Sequence, residues 1–184
     1  LTESQTRCEQ IQQERGLTLV HPYDDARIIA GQGTIALEML EEVPDLDALV
    51  IPIGGGGLIA GNAIAARAVN PAIEIVGAEA LLYPSVWNAL ERGNRPIGGS
   101  TLAEGIAVKN VGRLTLPVIR ELVSEIVLVD EAQLERAVNA YLTLQKTMAE
   151  GAGAAGLAAM LAEPARFAGK RVGLILCGGN IDPR

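Results

Sequence analysis

Hydrophobic and polar positions along this chain fall into blocks, and the period changes from block to block. Residues 3–15 (ESQTRCEQIQQER) are polar but rich in helix formers, with Gly16 placed as a C-terminal cap. The apolar run Leu17 to Val20 predicts a short strand, which ends in the polar turn His21-Pro22-Tyr23-Asp24-Asp25. Thr34 is positioned to cap the amphipathic helix IALEMLEEV, which Pro44 and Asp45 terminate. Residues 47–53 (DALVIPI) read as a strand, 58–68 (LIAGNAIAARA) as a helix of small residues and 73–79 (IEIVGAE) as a second strand, so 47–79 is a βαβ unit. A helical pattern covers 111–124, a strand 125–129 (EIVLV), and Asp130 caps a long helix reaching to about Ala149. Glu150-Gly151-Ala152-Gly153-Ala154-Ala155-Gly156 opens another small-residue helix, and 171–176 (RVGLIL) is the final strand. Strands alternating with helices predict an α/β fold, a doubly wound and mostly parallel sheet with helices on both faces. Residues 92–100 (RGNRPIGGS) are the expected mobile surface loop.

Composition narrows the class. With 184 residues the chain can form one domain with a real core, and 49% hydrophobic against 3% aromatic residues makes that core aliphatic, as in buried parallel sheets. A net charge of −7 argues against a nucleic-acid surface. No apolar run reaches membrane-spanning length and no basic-then-apolar leader opens the sequence. Cys8 and Cys177 are too few for a disulfide framework, which points to the cytoplasm. Residue 1 is Leu, and the chain stops at Asp182-Pro183-Arg184 directly after the loop-like Cys177-Gly178-Gly179-Asn180. It therefore reads as a segment of a longer protein.

The candidate chemistry sits at Gly54-Gly55-Gly56-Gly57, between an apolar strand and a helix start. A glycine-rich turn at a helix N-terminus exposes several backbone N–H groups to an anion, and the helix dipole reinforces them. A tight turn with close packing would need one or two glycines; four in succession favour phosphate. No Lys-Ser or Lys-Thr follows, which excludes the nucleoside-triphosphate loop. The pattern Gly55-x-Gly57-x-x-Ala60, with Glu79 ending the next strand, also fits the permissive dinucleotide fingerprint, so an NAD(P)-binding oxidoreductase domain is the rival reading. A non-catalytic binding module is a third.

Five motifs in one order decide between them: HPYDD at 21–25, GQGT at 31–34, GGGGLIAG at 54–61, EGAGA at 150–154 and CGGN at 177–180. Together they resemble the threonine dehydratases (threonine ammonia-lyases) and serine racemases, pyridoxal-phosphate enzymes of the tryptophan-synthase-β-like fold. The resemblance spans essentially the whole chain. It implies pyridoxal 5'-phosphate as cofactor, a small hydroxy amino acid as substrate, a role in amino-acid metabolism such as isoleucine biosynthesis, and a cytoplasmic homo-oligomer. It also implies that Gly54 to Gly57 and Leu58 cradle the cofactor phosphate. Cys177 occupies the place usually held by Ser facing the pyridine nitrogen, a neutral partner that leaves the ring a modest electron sink suited to β-elimination. Without its Gly-Gly-Asn neighbours Cys177 would read as a small buried thiol at a strand end.

Glu150 matches a family carboxylate near the cofactor, or is simply the charged end of the preceding helix. Glu79 matches a metal-binding carboxylate of serine racemases. The second carboxylate six residues on is here Ser85, so a divalent site is in doubt and a solvated strand-end Glu is the favoured reading. His21, the only histidine, reads as a turn residue, Asp24 and Asp25 as caps of backbone amides, and Trp87 and Phe167 as core.

The family's lysine, which binds the cofactor aldehyde and moves the Cα proton, lies in a Phe-Lys-x-Arg-Gly-Ala-like segment. Lys109, Lys146 and Lys170 have no such context and are expected to lie far from the motifs. The chain thus resembles the C-terminal half of a catalytic unit whose lysine lies upstream of Leu1. The implied reaction is threonine to 2-oxobutanoate and ammonia, with serine to pyruvate second and amino-acid racemisation sharing the same motifs.

Overall fold

A computed structural model describes residues 2–181. The elements follow in the order α1 (Thr2–Arg15), α2 (Ala26–Gln32), α3 (Thr34–Glu42), β1 (Ala48–Ile53), α4 (Gly57–Val69), β2 (Glu74–Ala80), α5 (Ser85–Glu91), α6 (Thr115–Leu122), β3 (Glu125–Val129), α7 (Glu131–Ala140), α8 (Gly151–Ala162), α9 (Pro164–Phe167) and β4 (Val172–Leu174). The four strands form one all-parallel sheet in the order β3-β2-β1-β4. Two apolar layers enclose it. Val50, Val76, Ala78, Val127 and Val129 face α8, with α7 stacked outside it. Leu49, Ile51, Ile53 and Ile75 face α4, around which α2, α3 and α6 gather. This is the two-faced α/β architecture expected from the alternation of strands and helices.

Pro52 lies inside the central strand β1, where a missing N–H normally costs a ladder bond. Here it costs none. Val50, two residues earlier on the same side, accepts from Ile175 at 3.3 Å, and the pairing of β1 with β4 ends at Val50.

Four expectations need correction. Leu17 to Val20 form no strand, because no sheet edge lies beside them, and Leu17 and Val20 are exposed. Thr34 does not cap α3: it is that helix's first residue and donates its hydroxyl to the Gly31 carbonyl at 2.9 Å. The unforeseen helix α2 precedes it, capped by Asp25. The long helix from Asp130 ends early. Asp130 and Gln133 form a reciprocal capping box, but after Ala140 comes one π-helical turn, Tyr141–Gln145, and Lys146 turns left-handed at φ 56°. The chain is drawn off the helix because residues just beyond run beside the CGGN loop, where the Glu150 N–H donates to the Gly178 carbonyl at 3.1 Å. Phe167 is core, whereas Trp87 is only half-buried, with the Arg95 guanidinium 4.5 Å from its ring centroid. The 92–100 stretch is a surface loop tied back by mutual Asn88–Arg95 bonds of 3.0 Å. No helix among the described residues is long and apolar enough to cross a membrane.

Candidate functional site

In a doubly wound sheet, ligands bind beyond the carboxyl ends of the strands where the winding direction reverses. From β1 the chain winds through β2 to β3 on one side, while β4 adds on the other, so the reversal lies between β1 and β4. The loop after β1 is Gly54 to Gly57, and the loop after β4 carries Cys177. Both line one cleft of about 550 Å³, together with Pro52, Leu58, Lys109 and residues of α1 including Cys8.

The glycine loop has two different faces. One is packed solid. A Cβ on Gly55 would lie 2.3 Å from the Tyr23 ring, one on Gly57 2.9 Å from the Tyr23 backbone, and one on Gly56 2.7 Å from Thr115 Oγ1. Gly56 also adopts φ 95°, a conformation open to glycine at little cost. The other face borders the cleft. The N–H groups of Gly55, Gly56, Gly57 and Leu58 donate to no acceptor among the described residues. Unsatisfied amides at the start of a 13-residue helix form an anion cradle of the kind a phosphate monoester fits. Close packing therefore requires glycine on one face, while the acceptor-free amides border the cleft on the other.

Two segments hold the loop from behind. His21 Nδ1 accepts from the Asp24 N–H at 2.8 Å and the Tyr23 N–H at 3.3 Å, closing the turn as expected. Asp25 accepts from the Arg27 N–H at 2.8 Å, and the Arg27 guanidinium holds its carboxyl down at about 2. Asp24 reaches across to accept the N–H groups of Arg113 and Leu114, at 2.9 and 2.8 Å, and so anchors the start of α6. That anchor explains why α6 begins at Thr115 rather than at residue 111.

Glu150 is the N-cap of α8 and its Oε2 accepts the Asn180 N–H at 3.0 Å. A Cβ on Gly178 would lie 2.5 Å from its carboxyl carbon. The carboxylate thus organises the CGGN loop rather than ending the preceding helix. Cys177 is exposed to the cleft rather than buried at a strand end. The surrounding protein, and then the nearby Glu150 charge, push its thiol pKa up, so it stays neutral at physiological pH.

Glu79 overturns the reading of a solvated strand-end residue. It is 1% exposed, and its two oxygens accept the Val86 and Trp87 N–H groups at 2.7 and 2.9 Å, closing the start of α5. Burial outweighs these bonds and pushes its carboxyl up to about 7. Ser85 donates to the Val108 carbonyl at 2.5 Å, and no group of three or more His, Cys, Asp or Glu among the described residues could hold a metal. These residues do not fit a divalent cation. Nor is Glu79 free to bind a ribose, which removes the acidic partner that the dinucleotide reading needs.

The lysines divide. Lys146 donates to the Thr143 carbonyl and Lys170 pairs with Glu74, both at 2.7 Å, away from the cleft. Lys109, contrary to expectation, lines the cleft. Tyr23 and Thr115 are the site residues that sequence reasoning passed over. Tyr23 lay within a quoted motif, whereas Thr115 carried no local signal.

Comparisons with known proteins agree with this geometry. The family described as pyridoxal-phosphate dependent enzyme matches residues 1–178. The L-threonine ammonia-lyase of Geobacter sulfurreducens is 46% identical over 183 residues, 98% of this chain and 45% of that protein. The serine racemase of Arabidopsis thaliana is 40% identical over 183 residues, 95% of this chain and 55% of that one. The solved structure of maize serine racemase superposes with a TM-score of 0.89 at 37% identity, covering 97% of this chain and 57% of that chain. The chain spans about half the length of the curated relatives it matches. With a glycine cradle and a neutral thiol at the reversal point of a parallel sheet, the chain belongs to the pyridoxal-phosphate dependent enzymes, in their tryptophan-synthase-β-like fold.

Proposed function

We propose that this chain is the C-terminal part of a pyridoxal-phosphate dependent ammonia-lyase acting on a hydroxy amino acid, with L-threonine, giving 2-oxobutanoate and ammonia, as the preferred substrate. The observation that carries the reading is the shared cleft, which sets four acceptor-free amides against a neutral thiol. The threonine ammonia-lyases among the relatives support the choice of threonine.

Pyridoxal phosphate, when bound, supplies the electron sink that makes the substrate Cα proton removable. Gly55 to Leu58 hold its phosphate through backbone N–H groups, and the α4 dipole adds to the attraction. Cys177 presents an uncharged group to the ring nitrogen. The surrounding protein and then the Glu150 charge favour the protonated thiol, and the Glu150 carboxylate fixes the loop on which the thiol stands. In this reading the lysine that binds the aldehyde and moves the Cα proton belongs to a part of the protein outside this chain.

The test is substrate competition in the full-length protein. Equal concentrations of L-threonine and L-serine are supplied, and 2-oxobutanoate, pyruvate and D-serine are quantified together. Threonine turnover is expected to exceed that of serine by about tenfold, the discrimination that one buried methyl group typically provides. D-serine as the main product would make the protein a racemase, and absence of any 2-oxo acid would exclude a lyase.

A further inference from the structure

The Gly55 carbonyl of the glycine loop is held from outside the cleft by a buried hydroxyl and a backbone amide. Thr115 is fully buried, and its Oγ1 donates to the Gly55 carbonyl at 2.8 Å. The Gly112 N–H donates to the same oxygen at 3.2 Å. The described residues contain no cis peptide, so the 55–56 peptide is trans and planar, and its C=O and the following N–H point in opposite directions. Fixing the Gly55 oxygen toward Thr115 therefore turns the Gly56 N–H the other way, off the packed face of the loop. Gly56 itself, at φ 95°, has no intrinsic preference strong enough to hold that orientation. Asp24, by accepting the Arg113 and Leu114 N–H groups, places Thr115 at the first position of α6 where its hydroxyl reaches the loop.

We propose that Thr115 is a positioning residue for phosphate recognition: its hydroxyl, held in place by Asp24, clamps the Gly55 carbonyl and thereby aims the Gly56 N–H at the phosphate group of the cofactor. It touches neither substrate nor cofactor. The idea rests on the glycine loop being the phosphate cradle, and the two are tested separately.

The readout is discrimination between pyridoxal phosphate and pyridoxal, which lacks the phosphate, by the apo form of the full-length protein. Thr115→Val keeps the shape and removes the hydroxyl. Its affinity for pyridoxal phosphate should fall about tenfold while its affinity for pyridoxal is unchanged, so the preference for the phosphorylated ligand shrinks by the same factor. Thr115→Ser, which keeps the donor, should restore that preference. If Thr115→Val does not yield folded protein, Thr115→Cys, of similar size but a much weaker donor, is held to the same ratio. Equal losses for both ligands, or no loss, overturn the proposal, because a merely structural hydroxyl cannot tell them apart. Leu58→Pro, which removes one cradle amide in the first turn of α4 where proline is tolerated, separates the premise from the inference. If it too leaves the preference intact, the loop is not the cradle; if it abolishes the preference while Thr115→Val does not, the cradle stands and the clamp is wrong.

Discussion

Glu79 shows how much one residue's environment decides. At the end of an apolar strand a glutamate reads as a surface residue, a metal ligand or a ribose partner, and here it is none of these. Its carboxyl lies buried at the start of α5, bonded to two amides, and titrates near 7. An acid whose folded pKa lies above its unfolded value binds protons on folding. Its stabilising contribution is complete below the unfolded value and is lost as pH rises through the folded one. The full-length protein should therefore lose about 3 kcal/mol of unfolding free energy between roughly pH 4.5 and pH 8, from a shift of this size. Glu79→Gln should flatten that slope, at a constant cost of about 1–3 kcal/mol for a bond it can no longer accept. Urea titrations of both proteins across this range measure it, and identical slopes would mean that Glu79 is not the titrating group.

Between elements, the informative glycines are those where two helices meet. Gly31 and Gly61 both sit inside helices, and nothing local in the sequence separates them. A Cβ on Gly61 would stand 2.0 Å from the Ile29 carbonyl oxygen, where α4 crosses α2, whereas one on Gly31 meets nothing within 4 Å. Gly61→Ala should destabilise the protein by about 3 kcal/mol, since backbone on both sides has to yield. Gly31→Ala should be neutral or add up to about 1 kcal/mol through helix propensity. Denaturant midpoints of the two variants provide the comparison, and equal effects would show that the α2–α4 crossing is not tight. The same contact gives the GQGT motif its physical meaning, because Gly33 packs against the Gly61 backbone.

For the molecule as a whole, the proposed phosphate cradle is built from neighbouring elements, whereas Thr115, proposed to position it, and the proposed aldehyde-binding lysine lie elsewhere. The strand, loop and helix of that proposed cradle lie within residues 48–69. None of the three lysines lies in a segment resembling that of the family's aldehyde-binding lysine, although Lys109 borders the cleft. The isolated segment, mixed with pyridoxal phosphate and threonine, is expected to release 2-oxobutanoate no faster than free cofactor does. Borohydride reduction followed by peptide mass mapping gives an independent check. Steady turnover, with the reduced cofactor attached to Lys109, would place the amine inside this chain after all.

Apolar runs alone determined the α/β class and all four strands, because a parallel strand buried on both faces is an unbroken aliphatic run that few other elements imitate, and runs of small residues marked the helices α4 and α8. The HPYDD, GGGG and CGGN motifs were legible for a related reason: each needs a particular residue at consecutive positions. Asp24 and Asp25 could be read as caps, since a short acidic side chain in a turn has few other partners. What only the tertiary structure decided depends on segments distant in sequence. It ended α7 at Ala140, because the following residues run along the CGGN loop. It left 17–20 without a sheet partner, buried Glu79 against α5, brought Lys109 to the cleft and set Thr115 behind Gly55, sixty positions away. A hydroxyl whose acceptor lies so far along the chain leaves no local pattern, and its role appears only once folding has brought the two together.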